Sequence, residues 1–386
     1  MVFELTSEQK DIQKAAKEFA NKEFNHELAR DLEKKHEFPK ELYKKAASLG
    51  FVAPYVNEEY GGQGLGVLEN ALIVEEFCRA DSSIGLAIDL AALPCKFLYR
   101  FGNDEQNKKY LAKITSGEYG AAIALTEPDH GSDITEMNTT ATKMNEHYLL
   151  TGVKTFITNG TIADFYTVLC QTDPNANPKH KGMSILITDR SMIGPEFEVN
   201  ELGDKLGIRL TSSAELVFNN LKVPLENLLG TEGKGFYQAM KFFEESKIEI
   251  AAQAVGVAQG AYDIAYKYSK ERKQFGKTLS SFQAIQHKFV DMLVKIENAR
   301  NLVHKAAYEF DQGRQTHTAA AMAKLYAANI ANEVAYEAVQ VLGGYGYFQE
   351  YDVERYYRDA RILSIYEGTT EVQKNVIASY LFSSKD

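Results

Sequence analysis

With 386 residues, 45% of them hydrophobic and 25% charged, the chain has material for two or three domains and the composition of an ordinary soluble globular protein. Its net charge of −10, from 43 Lys and Arg against 53 Asp and Glu, comes without a dense basic run, which argues against a nucleic-acid partner. Cys78, Cys95 and Cys170 are odd in number, widely spaced and free of CxxC or Cys/His ligand spacing, so they read as core thiols in a reducing compartment, and the scattered histidines form no metal constellation.

Met1 to Lys10 lacks a positive segment followed by an apolar one, and no stretch approaches about eighteen continuous apolar residues. The expectation is a cytoplasmic protein without membrane insertion. Thr6 and Gln9 form a capping-box pattern, and Ile12, Ala15, Ala16, Phe19 and Ala20 follow at helical spacing, so a first helix begins there. Leu42, Ala46 and Leu49 make a second amphipathic stretch closed by Gly50, and Leu68–Phe77 and Ser83–Leu98 read as longer buried helices. Gly61 to Gly66 superficially suggests a nucleotide-binding glycine loop. It never completes GxGxxG, no strand leads into it and no Walker lysine follows, so it is read as a surface loop.

From Ala121 the texture becomes β-rich, with runs at Ala121–Leu125, His147–Thr151, Thr155–Thr158, Phe165–Cys170, Met183–Thr188 and Ala214–Phe218. Gly152, Asn159-Gly160, Asp173-Pro174-Asn175 and Pro178 punctuate them as turns. All eight prolines lie at or before Pro224, which leaves residues 225–386 free for long helices at Phe236–Ser269, Ser281–Gln312 and Thr316–Val341. Small residues such as Ala251, Ala252, Ala254, Gly256 and Gly260 suit close helix contacts. The expected fold is α+β: an all-α domain over residues 1–118, a small β-barrel or sandwich over 119–228, and a C-terminal four-helix bundle over 229–386.

The chemistry is expected near the C-terminus, where Glu367 stands between Tyr366 and Gly368 on a short segment between helical runs. Gly368 tolerates positive φ and lets the backbone turn sharply. A base that removes a weakly acidic proton must be fixed near it and partly desolvated, which raises its pKa towards the working pH. Glu367 has the setting for that role.

Tyr366 to Thr369 resembles the Tyr-Glu-Gly-Thr segment of the acyl-CoA dehydrogenase family. Leu125-Thr126-Glu127-Pro128-Asp129-His130-Gly131-Ser132-Asp133 is similar to that family's flavin- and substrate-contacting segment, and Phe156 to Gly160, Glu271 to Gly276 and Gln340 to Gly344 follow in the family's order, so the likeness spans essentially the whole chain. The resemblance implies FAD-dependent α,β-dehydrogenation of an acyl-CoA thioester, with Glu367 taking the α-proton and FAD the β-hydride. It further implies an electron-transferring flavoprotein as partner and a homotetramer.

Carried over residue by residue, the resemblance implies Leu125, Thr126, Ser132, Phe156 and Thr158 around the flavin ring. It implies Arg272, Phe275, Gln283, Gln340, Gly343 and Gly344 at the pyrophosphate and adenine, partly from a neighbouring subunit, with Thr369 and Glu371 completing the site. Ser132, Asp89, Glu244, Lys247, Tyr366 and Gly368 fall to the substrate. Ser246 stands where some members carry their base, with Glu244 and Glu245 as reserve candidates. Lys247 and Ser379 stand where arginines occur in the family, which leaves a carrier-protein thioester, or enoyl-thioester reduction, as the alternative. Asp89 sits in the apolar run Ile84–Leu93, either paired with a Lys or Arg or facing the acyl group.

Overall fold

Thr6 Oγ1 accepts a hydrogen bond from the Gln9 N–H at 3.2 Å and Gln9 Oε1 accepts one from the Thr6 N–H at 2.9 Å, so the chain enters its first helix at the expected capping box. The computed structural model describes residues 4–383. That helix, α1 (Ser7–Glu23), is followed by α2 (His26–Lys35), α3 (Lys40–Ser48), α4 (Val67–Ala80), α5 (Ser82–Ala92), α6 (Cys95–Phe101) and α7 (Asp104–Thr115). The single helix expected over Ser83–Leu98 is broken into α5 and α6 at Leu93-Pro94, because proline has no N–H to continue the ladder. Helices α2 and α7 are polar overall, with few large apolar residues. Their starts are marked by Asn25 and Asn103, whose side chains accept from the Glu27 and Gln106 N–H groups. Ser82–Phe101 has the length and apolarity of a membrane span, yet 89% of its most apolar 18-residue window is packed inside the protein.

Eight strands form one sheet in the order β6-β7-β3-β2-β4-β5-β8, with β1 parallel to β4. They are β1 (Ala121–Ala124), β2 (Thr140–Lys143), β3 (His147–Thr158), β4 (Phe165–Gln171), β5 (Met183–Asp189), β6 (Phe197–Glu201), β7 (Ser213–Pro224) and β8 (Leu228–Leu229). The two runs expected either side of Gly152 are one strand, β3, with register shifts against β7 at Leu150/Gly152 and at Lys154/Ile157. Strand β4 is buried on both faces. Phe165 and Leu169 join the helical core, while Tyr166, Val168 and Cys170 join a second core inside the sheet. A division after residue 228 would split β8, whose Leu229 pairs with Ile185, so the passage from sheet to helix falls between Leu229 and Gly235.

The remaining helices are α8 (Gly235–Glu271), α9 (Gln283–Asp311), α10 (His317–Leu342), α11 (Val353–Ala360) and α12 (Thr370–Leu381), with a two-stranded hairpin, β9 (Lys273–Gln274) and β10 (Lys277–Thr278), between α8 and α9. Helix α8 is the spine, packed on α4, α9 and α10, and α12 packs on α10. The small residues on α8 permit this. A Cβ on Gly256 would stand 2.4 Å from the Glu75 carbonyl oxygen and 2.7 Å from Cys78 Cβ, so only glycine allows α4 and α8 to approach so closely there.

One carboxylate ties the three blocks together. Asp359 on α11 accepts from Ser82 Oγ at 2.7 Å and Ser83 Oγ at 2.6 Å, both at the start of α5, and from the Ile208 N–H at 2.6 Å in the sheet block. Asp359→Ala would leave these buried donors without their acceptor, and it is expected to lower the unfolding free energy by about 3 kcal/mol. A urea titration checks this, and an unchanged midpoint would refute the tie.

Candidate active site

After α11 a short turn of 3-10 helix, Arg361–Ser364, leads into Tyr366, Glu367 and Gly368, and Thr369 caps α12 by accepting from the Val372 N–H at 3.3 Å. Glu367 has φ +52° and Gly368 φ +88°, two consecutive left-handed residues that reverse the chain. A glutamate pays about 1 kcal/mol or more for this conformation, so its surroundings must enforce it. Three helices do so. Lys324 Nζ on α10 donates to the Gly368 carbonyl at 2.6 Å, Gln373 Nε2 on α12 donates to the same oxygen at 2.9 Å and to the Glu367 carbonyl at 3.3 Å, and Ser246 Oγ on α8 donates to Glu367 Oε2 at 2.7 Å.

Burial pushes the Glu367 carboxyl above the ordinary glutamate range, while the Ser246 hydrogen bond and the Lys324 and Lys247 charges pull it back. Burial also lowers both amines, Lys324 to about 8. Neither has a carboxylate within ion-pair distance among the described residues. The result is a carboxylate with a raised proton affinity, the direction that a base acting on a weak acid needs. Ser246 and Lys247 were named from the sequence, but Lys324 was not. The signal was a lone lysine within the alanine-rich run Ala319–Ala328.

Tyr366 donates its hydroxyl to Gln253 Oε1, and Gln253 Nε2 donates to Asp89 Oδ2. The expected alternative of a Lys or Arg salt bridge to Asp89 is not what the structure builds: among the described residues its partners are this amide and Glu249. The two reserve carboxylates are held elsewhere. Glu244 accepts from Thr316 N–H and Oγ1 at 2.8 and 2.7 Å at the start of α10 and from Lys241 at 2.8 Å, leaving 2% of it exposed, so it is an anchor for α10 rather than the substrate contact expected. Glu245 is paired with Lys96 and Arg100.

A second group of predicted residues gathers at the sheet. Lys154, buried on β3, donates through Nζ to the Leu125 carbonyl and to Glu127 Oε1, both at 2.9 Å, and Glu127 also accepts from the Asn138 and Thr139 N–H groups at 2.7 and 2.9 Å. This pair sets the course of residues 125–139, and the Thr155 N–H donates to the Thr126 carbonyl at 2.9 Å. Leu125, Thr126, Phe156 and Thr158 are thereby brought together at the β3 register shift, where Phe156 takes φ +56° and is 70% exposed. Ser132 is exposed on the same held loop.

The third group lies at the far end of α8 and α10. Arg272, Gln274, Gly343, Gly344 and Tyr345 line a cleft of about 730 Å³. Arg272 stacks over the Tyr345 ring at 5.3 Å and has no carboxylate partner among the described residues. Gly343, at φ +60°, and Gly344 have open space where a Cβ would point. A free guanidinium beside side-chain-free backbone in a cleft of this size fits a diphosphate-bearing cofactor. Phe275, Gln283 and Gln340 are exposed near these elements, Glu371 is exposed in the first turn of α12, and Thr369 serves as the α12 cap. Lys324 and Gly343 are about 28 Å apart by helical rise, so the cleft and Glu367 are far apart along α10.

A desolvated, clamped carboxylate suits proton abstraction from a carbon acid, a step that several classes of enzyme share. Comparison with known proteins specifies which. Family models for the N-terminal, middle and C-terminal domains of acyl-CoA dehydrogenase match residues 6–118, 122–221 and 233–382. The short-chain specific acyl-CoA dehydrogenase of Clostridium acetobutylicum is 43% identical over 99% of this chain and 100% of its own. The caffeyl-CoA reductase–Etf complex subunit CarC of Acetobacterium woodii is 41% identical over 97% of this chain and 98% of its own. The structure of butyryl-CoA dehydrogenase from Megasphaera elsdenii superimposes with a TM-score of 0.93 at 41% identity, covering 99% of this chain and 100% of that one. The chain belongs to the acyl-CoA dehydrogenase family, as its motifs indicated.

Two outcomes follow from the geometry. Because the Lys324 charge favours the ionised form of Glu367, Lys324→Met should raise the carboxyl pKa further. The acid limb of the pH profile for substrate-driven flavin reduction then moves to higher pH, with activity lost at the acid end and recovered at the alkaline end. A profile superimposable on the wild type would refute the coupling. Arg272→Ala should weaken FAD retention by about 10- to 100-fold, the loss expected for a charge-assisted hydrogen bond, as read by flavin released on dilution. A variant that keeps its full flavin complement would refute the assignment.

Proposed function

We propose that the protein oxidises a short acyl-CoA thioester to its 2,3-enoyl thioester, and the observation that carries this reading is the desolvated, clamped carboxylate of Glu367. Glu367 removes the α-proton. Its own N–H, which has no acceptor among the described residues, is placed to donate to the thioester carbonyl and so to stabilise the enolate as it develops. Ser246, Lys324 and Lys247 hold the carboxylate ready for the next turnover. FAD, when bound, supplies the hydride acceptor for the β-carbon. Leu125, Thr126, Phe156 and Thr158 would flank its ring, with Ser132 on the adjoining loop.

Arg272, Gly343 and Gly344 would hold the diphosphate. Their separation from Glu367 along α10 is the reason to assign the two ends of one cofactor to two copies of the chain in a homotetramer. Phe275, 92% exposed, and the exposed Tyr347, Phe348, Leu381 and Phe382 are surfaces suited to such contacts. Electrons would pass to an electron-transferring flavoprotein in the cytoplasm. The same geometry serves the reverse reaction, since a carboxyl whose pKa is raised by burial can return its proton to the α-carbon in enoyl-thioester reduction.

Anaerobic incubation of the holoenzyme with a series of acyl-CoAs is expected to bleach the flavin absorbance with the short members. Glu367→Gln should keep its FAD and its fold yet lose this reduction by roughly a hundred- to ten-thousand-fold, the usual contribution of a positioned base. Near-normal bleaching in that variant would remove Glu367 from the mechanism.

A further inference from the structure

The turn that carries Glu367 is clamped downstream of the base by Lys324 and Gln373, and a separate set of buried groups holds it upstream. Tyr366 immediately precedes Glu367. Its N–H donates to the Ile362 carbonyl at 3.1 Å and its hydroxyl donates to Gln253 Oε1 on α8, so the residue is fixed at both ends. Gln253 is fully buried, and its Nε2 donates in turn to Asp89 Oδ2 on α5. One face of α8 therefore touches the turn twice, through Ser246 at the Glu367 carboxylate and, about two helical turns further along, through Gln253 at the Tyr366 hydroxyl.

Behind Gln253 the chain of hydrogen bonds ends in a group of charges that balances. Asp89 faces Glu249, and burial followed by the Glu249 charge raises the Asp89 carboxyl well above the ordinary aspartate range. Lys96 Nζ lies 2.9 Å from Glu249 Oε2 and 2.6 Å from Glu245 Oε1, and Arg100 Nη2 lies 2.9 Å from Glu245 Oε2. One proton shared by Asp89 and Glu249, held mainly on Asp89, leaves two carboxylates for these two cations. The direction of the hydrogen bonds follows. A protonated Asp89 gives its proton to Glu249 and offers Oδ2 to Gln253 Nε2, which turns the amide oxygen towards Tyr366. The cavity beside Asp89, Glu249 and Asn70 is about 10 Å³, room for about one water molecule, so no larger group competes for these partners.

We propose that Gln253 is a positioning residue for the base: held on one side by the paired carboxyls of Asp89 and Glu249, it anchors the Tyr366 hydroxyl and so sets where the Glu367 carboxylate stands. This inference rests on the reading of Glu367 as the base. Glu367 takes φ +52°, a conformation that its own backbone disfavours, so a rotation at Tyr366 is carried directly into the carboxylate. A displacement of about 1 Å can cost about a hundredfold in rate. Loss of the anchor should slow proton removal while the thioester still binds, because Gln253 is buried behind Tyr366.

The test follows flavin reduction by butyryl-CoA in anaerobic stopped flow, which separates the limiting rate from the substrate dissociation constant, and adds the thermal midpoint of each holoenzyme. Tyr366→Phe deletes one oxygen, and Gln253→Met removes both hydrogen bonds. Each is expected to lower the limiting rate about ten- to hundredfold and to keep the dissociation constant within about threefold of the wild type. Asp89→Leu should do the same, and Asp89→Asn, whose amide can make both hydrogen bonds of the protonated carboxyl, should recover most of that loss. Asp89→Asn combined with Glu249→Gln leaves Lys96 and Arg100 facing Glu245 alone, so the pair should lose more than the sum of its single changes. The proposal is overturned if Tyr366→Phe and Gln253→Met reduce their flavin at the wild-type rate, or if every variant loses affinity and thermal stability in step with rate, which would make the chain a packing feature. It is likewise overturned if Asp89→Asn is no better than Asp89→Leu, or if the double change is additive. Any of these results with a wild type that bleaches and a Glu367→Gln variant that does not overturns this inference alone. A wild-type holoenzyme bleached by no thioester, or a Glu367→Gln variant bleached normally, overturns the reading of Glu367 as the base and this inference with it.

Discussion

The site depends on keeping one carboxylate, Glu367, out of water while still giving it polar partners. A buried glutamate that met a close ion pair would be locked as an anion and be a poor base, and one with no polar partner would stay neutral. Glu367 is held between these limits. A single short hydrogen bond from Ser246 stabilises the anion, and two ammonium groups act on it through space rather than by contact. The left-handed pair Glu367-Gly368 makes this possible, because it turns the side chain inward while both backbone carbonyls of the turn find donors on α10 and α12.

Helix α8 organises what surrounds the base. Ser246, Glu249 and Gln253 lie at spacings of three and four, on one face of the helix, so one element presents the hydrogen bond to Glu367, the partner of Tyr366 and the acid beside Asp89. The next turns of the same helix present Gly256 and Gly260 to α4, where close backbone packing sets the position of the polar face. Packing precision and catalytic geometry are thus the same property of one long helix. The buried Lys154–Glu127 pair plays the corresponding part in the sheet, anchoring the 125–139 segment from beneath while its upper side stays open.

Much of this architecture was legible without coordinates. The Thr6–Gln9 cap, the β-rich apolar runs of β4 and β5 and the proline-free stretch from residue 225 are local patterns, and local patterns survive into the fold because each reflects a backbone or burial preference that acts within a few residues. Short or predominantly polar elements, such as α2, α7, β2 and β6, carry too few apolar residues to stand out in the sequence. One strand was split at Gly152, where the register shift depends on pairing with β7, and one helix was joined across Pro94 because its apolar run continues through the break.

The sequence by itself determined the family, the order of helical and β blocks, and the candidate for the base, because ordered motifs and periodicity are properties of the chain alone. Only the tertiary structure decided what each polar side chain does. Glu244 and Glu245, next to Ser246 on α8, became anchors for α10 and for α6, while Ser246 itself met the base. Asp89 found an amide in place of a salt bridge, and Lys324, inconspicuous in an alanine-rich helix, came to hold the Glu367-Gly368 turn. The physical reason is common to all of them. The state of a buried charge is set by burial and by partners that lie far away in the chain, and for these residues the partners come from other helices.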